Sequence, residues 1–213
     1  MKKYLLNTGQ SLLENTPIQY PRRRTILPQL MGILLTSLLM NPEPVSAVNG
    51  PNSGLIRQTV NYQVPDLSVS KPDGSEHSFL QEIDDGRPVI MSFIFTTCSA
   101  ICPMLGHTLM KVQSKLTEHQ QTAHLVSITI DPENDTPTTL ADYAKKLSAG
   151  PNWDFYTGTR DVSISLQKAF NVYRGDKMNH ASVILIRSKP NAPWIRLEGF
   201  INSDQVISEL QPH

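Results

Sequence analysis

Residues 88–95 read Pro-Val-Ile-Met-Ser-Phe-Ile-Phe, a run too continuously apolar to lie on a surface. Successive side chains of a strand point to opposite faces, so only a strand covered on both sides holds such a run. Residues 123–130 (Ala-His-Leu-Val-Ser-Ile-Thr-Ile) repeat the pattern, and Ser182–Arg187 supplies a third core strand. Between them, Met104, Leu105, Leu109, Val112 and Leu116 recur at helical spacing, predicting an amphipathic helix that ends near His119. Thr136 before Pro137 predicts an N-cap with proline at the first helical position, opening a helix to about Leu147. Trp153–Tyr156 and Trp194–Phe200 read as further strands, Val162–Phe170 as a helix, and Val206 with Leu210 as a closing helix. Both tryptophans are expected in or against the core. Strands alternating with helices predict an α/β fold with right-handed crossovers.

Ahead of the first core strand, Val64–Val69 and Ser78–Ile83 flank Lys71-Pro72-Asp73-Gly74, a turn signal that predicts a hairpin. Residues 48–61 carry Gly50, Pro51, Asn52, Ser53 and Gly54 and read as a flexible lead-in to a domain spanning 62–213. Residues 1–47 differ again. Arg22-Arg23-Arg24 precedes a short apolar stretch from Ile26 to Met40, which is followed by Val45-Ser46-Ala47. Basic residues, an apolar stretch and a small-residue end are the parts of an export signal. Arg23-Arg24-Thr25-Ile26-Leu27 also has the twin-arginine pattern. The segment is expected either to be cleaved after Ala47 or to stay as a tether to the inner membrane. Both place the domain in the periplasm or on the outer face of that membrane, where disulfides are permitted.

Charge narrows the partners. The 19 basic and 19 acidic residues cancel over the whole chain, but residues 1–47 hold a surplus of three positives, leaving a net of −3 on the remainder. Such a domain lacks the positive field that nucleic-acid binding needs, so no nucleic-acid partner is expected.

Two cysteines are too few for a disulfide scaffold and allow one bridge or part of a metal site. They stand in Phe95-Thr96-Thr97-Cys98-Ser99-Ala100-Ile101-Cys102-Pro103, where a buried strand gives way to a helix. Ligands bind at this carboxyl edge in open α/β sheets. Cysteines four apart at a helix start can point the same way, and the helix N-terminus favours thiolate. Thiolates bind soft ions such as Cu(I) and also attack disulfides. Spacing alone leaves a metal site and a redox dithiol equally open. The plain alternative, an inert structural disulfide, closes too short a loop to remove much chain entropy.

Three motifs taken in order resemble the Sco/SenC family: Cys98-x-x-x-Cys102-Pro103 after one buried strand, Asp131-Pro132-Glu133-Asn134-Asp135-Thr136-Pro137 after the next, and His180 before a third. The resemblance covers about residues 60–210. It implies a thioredoxin-like fold with a central mixed sheet flanked by helices. It also implies a copper chaperone for the CuA site of cytochrome c oxidase, with that enzyme's copper-site subunit and other copper-trafficking proteins as partners. Carried over residue by residue, Cys98 and Cys102 would hold Cu(I), and His180 would join them for Cu(II). Asp131 and Asp135 match paired acidic positions of that family, which are associated with its function without a clear ligand role and would stand behind the metal ligands. Ser99, where many members carry proline, and Ala181, where serine or threonine is frequent, depart from the pattern without removing a ligand.

Two function classes follow. The first is a metallochaperone without catalytic turnover, with a dithiol also suited to reducing the recipient's cysteines. The second is a thiol–disulfide oxidoreductase or thiol peroxidase on the same architecture. Thioredoxins carry Cys-x-x-Cys and a proline where Asn179-His180-Ala181 stands here, and peroxiredoxins carry threonine where Phe95 stands, so the second class fits less well. Taken alone, His180 reads as a loop histidine, and Asp131 and Asp135 as turn and cap residues. Met178 offers a soft thioether nearby, with packing as its plain reading. His107 reads as a helix-surface residue, and Lys145-Lys146 as a solvated helix face.

Overall fold

In the computed structural model, residues 54–99 and 101–210 are described. The export or tether segment expected over 1–47 lies outside them. Among the described residues no helix is long and apolar enough to cross a membrane.

The apolar runs form the middle of the sheet. β4 (Val89–Ile94) and β5 (His124–Thr129) pair in parallel, both buried along their whole length, and β6 (Trp153–Tyr156) pairs in parallel with β5. On the other side of β4, β7 (Val183–Arg187) runs antiparallel, followed by β8 (Trp194–Glu198). The six-stranded order β1-β8-β7-β4-β5-β6 makes a mixed sheet, completed by β1 (Ile56–Val60) along β8.

Helices cover both faces. Ile90 and Ile94 of β4 pack with Leu105, Leu109 and Val112 of α2 (Ile101–Glu118), Leu140 of α3 (Pro137–Lys146) and Val206 of α5 (Ser203–Ser208). Val89, Met91 and Phe93 point the other way, onto Phe79 and Ile83 of α1 (Phe79–Ile83) and Leu166 of α4 (Arg160–Ala169). Trp153 and Trp194 are both buried, as expected. Thr136 caps α3 through the Thr139 amide, with Pro137 opening the helix.

Two segments differ from the sequence expectation. The hairpin is real but short: β2 (Ser68–Ser70) pairs with β3 (Glu76–Ser78) around the Lys71–Ser75 turn, and the second arm turns helical at Phe79. Ser78 accepts the Gln81 amide as an N-cap, and Phe79 and Ile83, four apart, are both fully buried, so helical spacing wins over extension. Residues 56–60, read as part of a flexible lead-in, are strand β1. Its mostly exposed edge position leaves Ile-Arg-Gln-Thr-Val without the apolar alternation that marks a half-buried strand.

Topology converges three segments on one end of the sheet. The parallel strands β4 and β5 end there at Ile94↔Thr129, and antiparallel β7 begins beside them, with Ile184 opposite Ser92. The residues after β4, after β5 and before β7 therefore share one edge.

At the other border, Gly199 lets the chain just before β1 approach the end of β8 closely. It has φ +110, and a Cβ there would stand 2.2 Å from the Gly54 carbonyl oxygen. Gly199→Ala is expected to cost about 1–3 kcal/mol of unfolding free energy in urea titration. An unchanged midpoint would show that this contact does not hold the edge strand.

Candidate metal centre

The three converging segments carry Cys98 and Cys102, Asp131 and Asp135, and His180. Cys98 lies in the turn that leaves β4, half-buried, and its own N–H donates to the Phe95 carbonyl at 3.1 Å. Cys102, the second residue of α2, has no exposed surface. Its backbone N–H donates to the Cys98 sulfur at 3.4 Å, so the open end of the helix is aimed at that sulfur. No disulfide joins the two cysteines.

The sequence expectation that the helix start favours thiolate fails at Cys102. Burial pushes its thiol up to about 12, and the neighbouring Cys98 adds to the push against an opposing backbone contact from Phe95. Removing a sulfur from water outweighs the field of one helix end. Tyr143 of α3 shares that dry environment, and burial pushes its phenol up to about 12 as well, with both sulfurs contributing.

His180 follows a short 3-10 turn, Lys177–Asn179, and is buried rather than a surface loop residue. Its Nε2 lies 2.9 Å from the Phe93 carbonyl oxygen. A carbonyl only accepts, so Nε2 carries the hydrogen and Nδ1 keeps a lone pair. The β4–β7 pairing ends at Ser92↔Ile184, and the ring occupies Phe93 just beyond it. Burial, with the Arg174 charge behind it, holds the imidazole below its ordinary value despite the opposing pull of the carbonyl. It is therefore neutral at pH 7.

Cys98 and His180 border one cavity of about 90 Å³, together with Phe95, Ile101, Lys177 and Met178. His180 also borders a second cavity of about 400 Å³ between the Asp131 loop and α4. Cys102 lines neither, and among the described residues no three of His, Cys, Asp and Glu stand in position to hold a metal ion together. The fold thus brings one sulfur and the imidazole to a common space, with the second sulfur turned into the core beneath.

Asp131 and Asp135 brace that space. Asp135 is fully buried and accepts from the Thr96 N–H (3.1 and 3.2 Å), the Thr96 hydroxyl (2.5 Å) and the Thr129 hydroxyl (2.5 Å). Thr96 stands two residues before Cys98, so this carboxylate fixes the cysteine turn. Asp131 donates its N–H to the Thr129 hydroxyl and accepts from Asn134 and from the Lys177 ammonium at 2.5 Å. Lys177 stands three residues before His180, and its ammonium also lies 5.6 Å over the Phe95 ring. One carboxylate holds the cysteine segment and the other the histidine segment. Sequence reading gave the pair a turn-and-cap role but missed Thr96, Thr129 and Lys177. The available signal was one threonine just after the first apolar run and another near the end of the second, the two strands ending level in the sheet.

The SCO1/SenC family model matches residues 71–210. The SCO1 protein homolog of Bacillus subtilis is 34% identical over 104 residues, which are 48% of this chain and 53% of that one, so the chain spans about half of that relative's length. Among solved structures, BsSco, described as a member of the Sco family of cytochrome c oxidase assembly proteins with a disulfide switch, superposes with TM-score 0.61 at 28% identity, covering 73% of this chain and 95% of that one. Arabidopsis thaliana ScoI with copper bound superposes with TM-score 0.59 at 24% identity, covering 69% and 97%. The fold is the thioredoxin-like fold of these proteins, with the central mixed sheet that the family resemblance implied.

Asp135→Ala strips a buried acceptor from three donors. It is expected to cost about 2–4 kcal/mol of unfolding free energy and to speed alkylation of Cys102 in the folded protein. Stability within about half a kcal/mol of wild type, with alkylation unchanged, would contradict the bracing role.

Proposed function

The chain belongs to the SCO1/SenC family, and from that premise we propose that its folded domain is a copper carrier. Cys98 and Cys102 bind Cu(I), and His180 joins them for Cu(II). The ion is the cargo, delivered to the CuA site of cytochrome c oxidase from the periplasm or the outer face of the inner membrane. The observation that carries this reading is the cavity shared by the Cys98 sulfur and a neutral imidazole, at the sheet edge where the buried second sulfur lies four residues on.

The donor set suits the cargo. Two soft thiolates match Cu(I), and one harder nitrogen extends the set to Cu(II), so both oxidation states find ligands. His180 is pre-set: its Nε2–H is taken by Phe93, and Nδ1 is the atom left to bind. Cys102 must lose its proton, which passes to solvent as a soft cation takes its place on sulfur. Capture therefore includes a local repacking that turns the Cys102 sulfur toward the cavity, while Asp135 and Asp131 keep both flanking segments in place. Release to a partner runs by ligand exchange, with no turnover by this chain.

A dithiol reductase or peroxidase would use the same cysteines without metal. The carrier uses the Nδ1 lone pair of His180 directly as a third donor, whereas disulfide exchange needs only the two sulfurs, and this favours the carrier. Reduction of the recipient's cysteines by the same dithiol is compatible with the carrier reading.

Titration of the reduced full chain with Cu(I) is expected to end at one ion per chain. Cys98→Ala and Cys102→Ala should each weaken binding by about 100-fold or more, whereas His180→Ala spares Cu(I) and abolishes the sulfur-to-Cu(II) charge-transfer band. Undiminished Cu(I) binding in both cysteine variants would overturn the reading.

A further inference from the structure

The cavity that Cys98 and His180 share has a third donor on its wall. Met178 lines it, and 73% of the Met178 residue surface is open to solvent. Its backbone is held: the Met178 N–H donates to the Asp176 carboxylate at 2.9 Å, and the Asn179 N–H donates to the Asp176 carbonyl at 3.0 Å. Its side chain has three rotatable bonds and a polarizable sulfur. So exposed a side chain contributes little burial, which removes the packing role that sequence reading left open. Met104 provides the contrast. It is also exposed, at 54%, and stands two residues from Cys102, yet it does not line the cavity.

Cys102 has no exposed surface, so an incoming ion cannot meet it first. The cavity wall offers a thioether, an imidazole and the Cys98 sulfur before any repacking occurs. Resting on the copper-carrier reading above, we propose that Met178 is the landing ligand for Cu(I): the ion is first held by the Met178 thioether and the Cys98 sulfur at the cavity mouth, its bonds to the donor breaking as these form and any Cys98 proton leaving to solvent, and then moves inward. In the second step the bond from copper to the Met178 sulfur breaks as the bond to the Cys102 sulfur forms. The Cys102 proton leaves to solvent, and copper stays Cu(I) throughout. A thioether carries no proton to displace and binds soft ions weakly, which suits a transient ligand. Release would retrace the path, leaving copper on an exposed sulfur that a partner can reach.

The test uses the full chain labelled with methyl-13C methionine and Cu(I) supplied from a chromophoric chelator. In Cys102→Ala, which stalls the ion at the first station, the Met178 methyl resonance is expected to shift on adding Cu(I), while that of Met104 stays in place. In the otherwise native chain, Met178→Leu should slow Cu(I) capture roughly tenfold, and Met104→Leu should leave it unchanged. Leucine preserves apolar bulk, so a packing role would survive that exchange. Cu(I) bound with the Met178 methyl unmoved, or capture by Met178→Leu at the native rate, would overturn the landing role and leave the carrier standing. A native chain that takes up no Cu(I) would overturn both.

Discussion

Asp135 joins the two parallel strands at the point where the sheet stops and the site begins. Its carboxylate is buried, and its acceptors are filled by Thr96 after β4 and Thr129 at the end of β5. A buried charge that lost these donors would be costly, so the arrangement is held together or not at all. The Thr129 hydroxyl in turn accepts the Asp131 N–H, and Asp131 holds Lys177 in the segment that leads to His180. One continuous polar path therefore links the cysteine turn to the histidine turn through the loop between them. The segments carrying Cys98 and His180 are thus braced together, while the Cys102 sulfur beneath them is held by packing and by its contacts with Phe95 and Cys98.

The burial of Cys102 sets the character of the site. A sulfur with no exposed surface and a strong hold on its proton is inert toward bulky reagents, yet it becomes a strong ligand once a soft cation replaces the proton. Placing an accessible sulfur and a neutral imidazole above it separates meeting the ion from retaining it. That division suits a protein that takes a metal from one partner and yields it to another.

Much of this was legible in the sequence, and the rest was hidden for identifiable reasons. The β4 and β5 runs announced themselves because both faces are covered, and Thr136-Pro137 announced the start of α3. The edge strand β1 did not, since an exposed Ile-Arg-Gln-Thr-Val carries no burial pattern. Phe79 and Ile83 were assigned to an extended arm because their helical spacing is only four residues long. The three motifs were legible, and the segments that carry Cys98, Cys102 and His180 meet at one sheet edge. The cost of burial at Cys102 depends on neighbours distant in sequence, as does the bond from Asp135 to Thr96, 39 residues apart. Local patterns show where an element starts; they do not show which of two cysteines the core swallows.

The central claim is that both sulfurs and the His180 imidazole act on a single ion. X-ray absorption at the copper edge of the loaded full chain tests it most directly. The Cu(I) form is predicted to show a first shell dominated by two sulfur scatterers, and the Cu(II) form the same sulfurs plus a histidine nitrogen that disappears in His180→Ala. A first shell of nitrogen and oxygen alone, or a Cu(II) spectrum indifferent to His180→Ala, would contradict it.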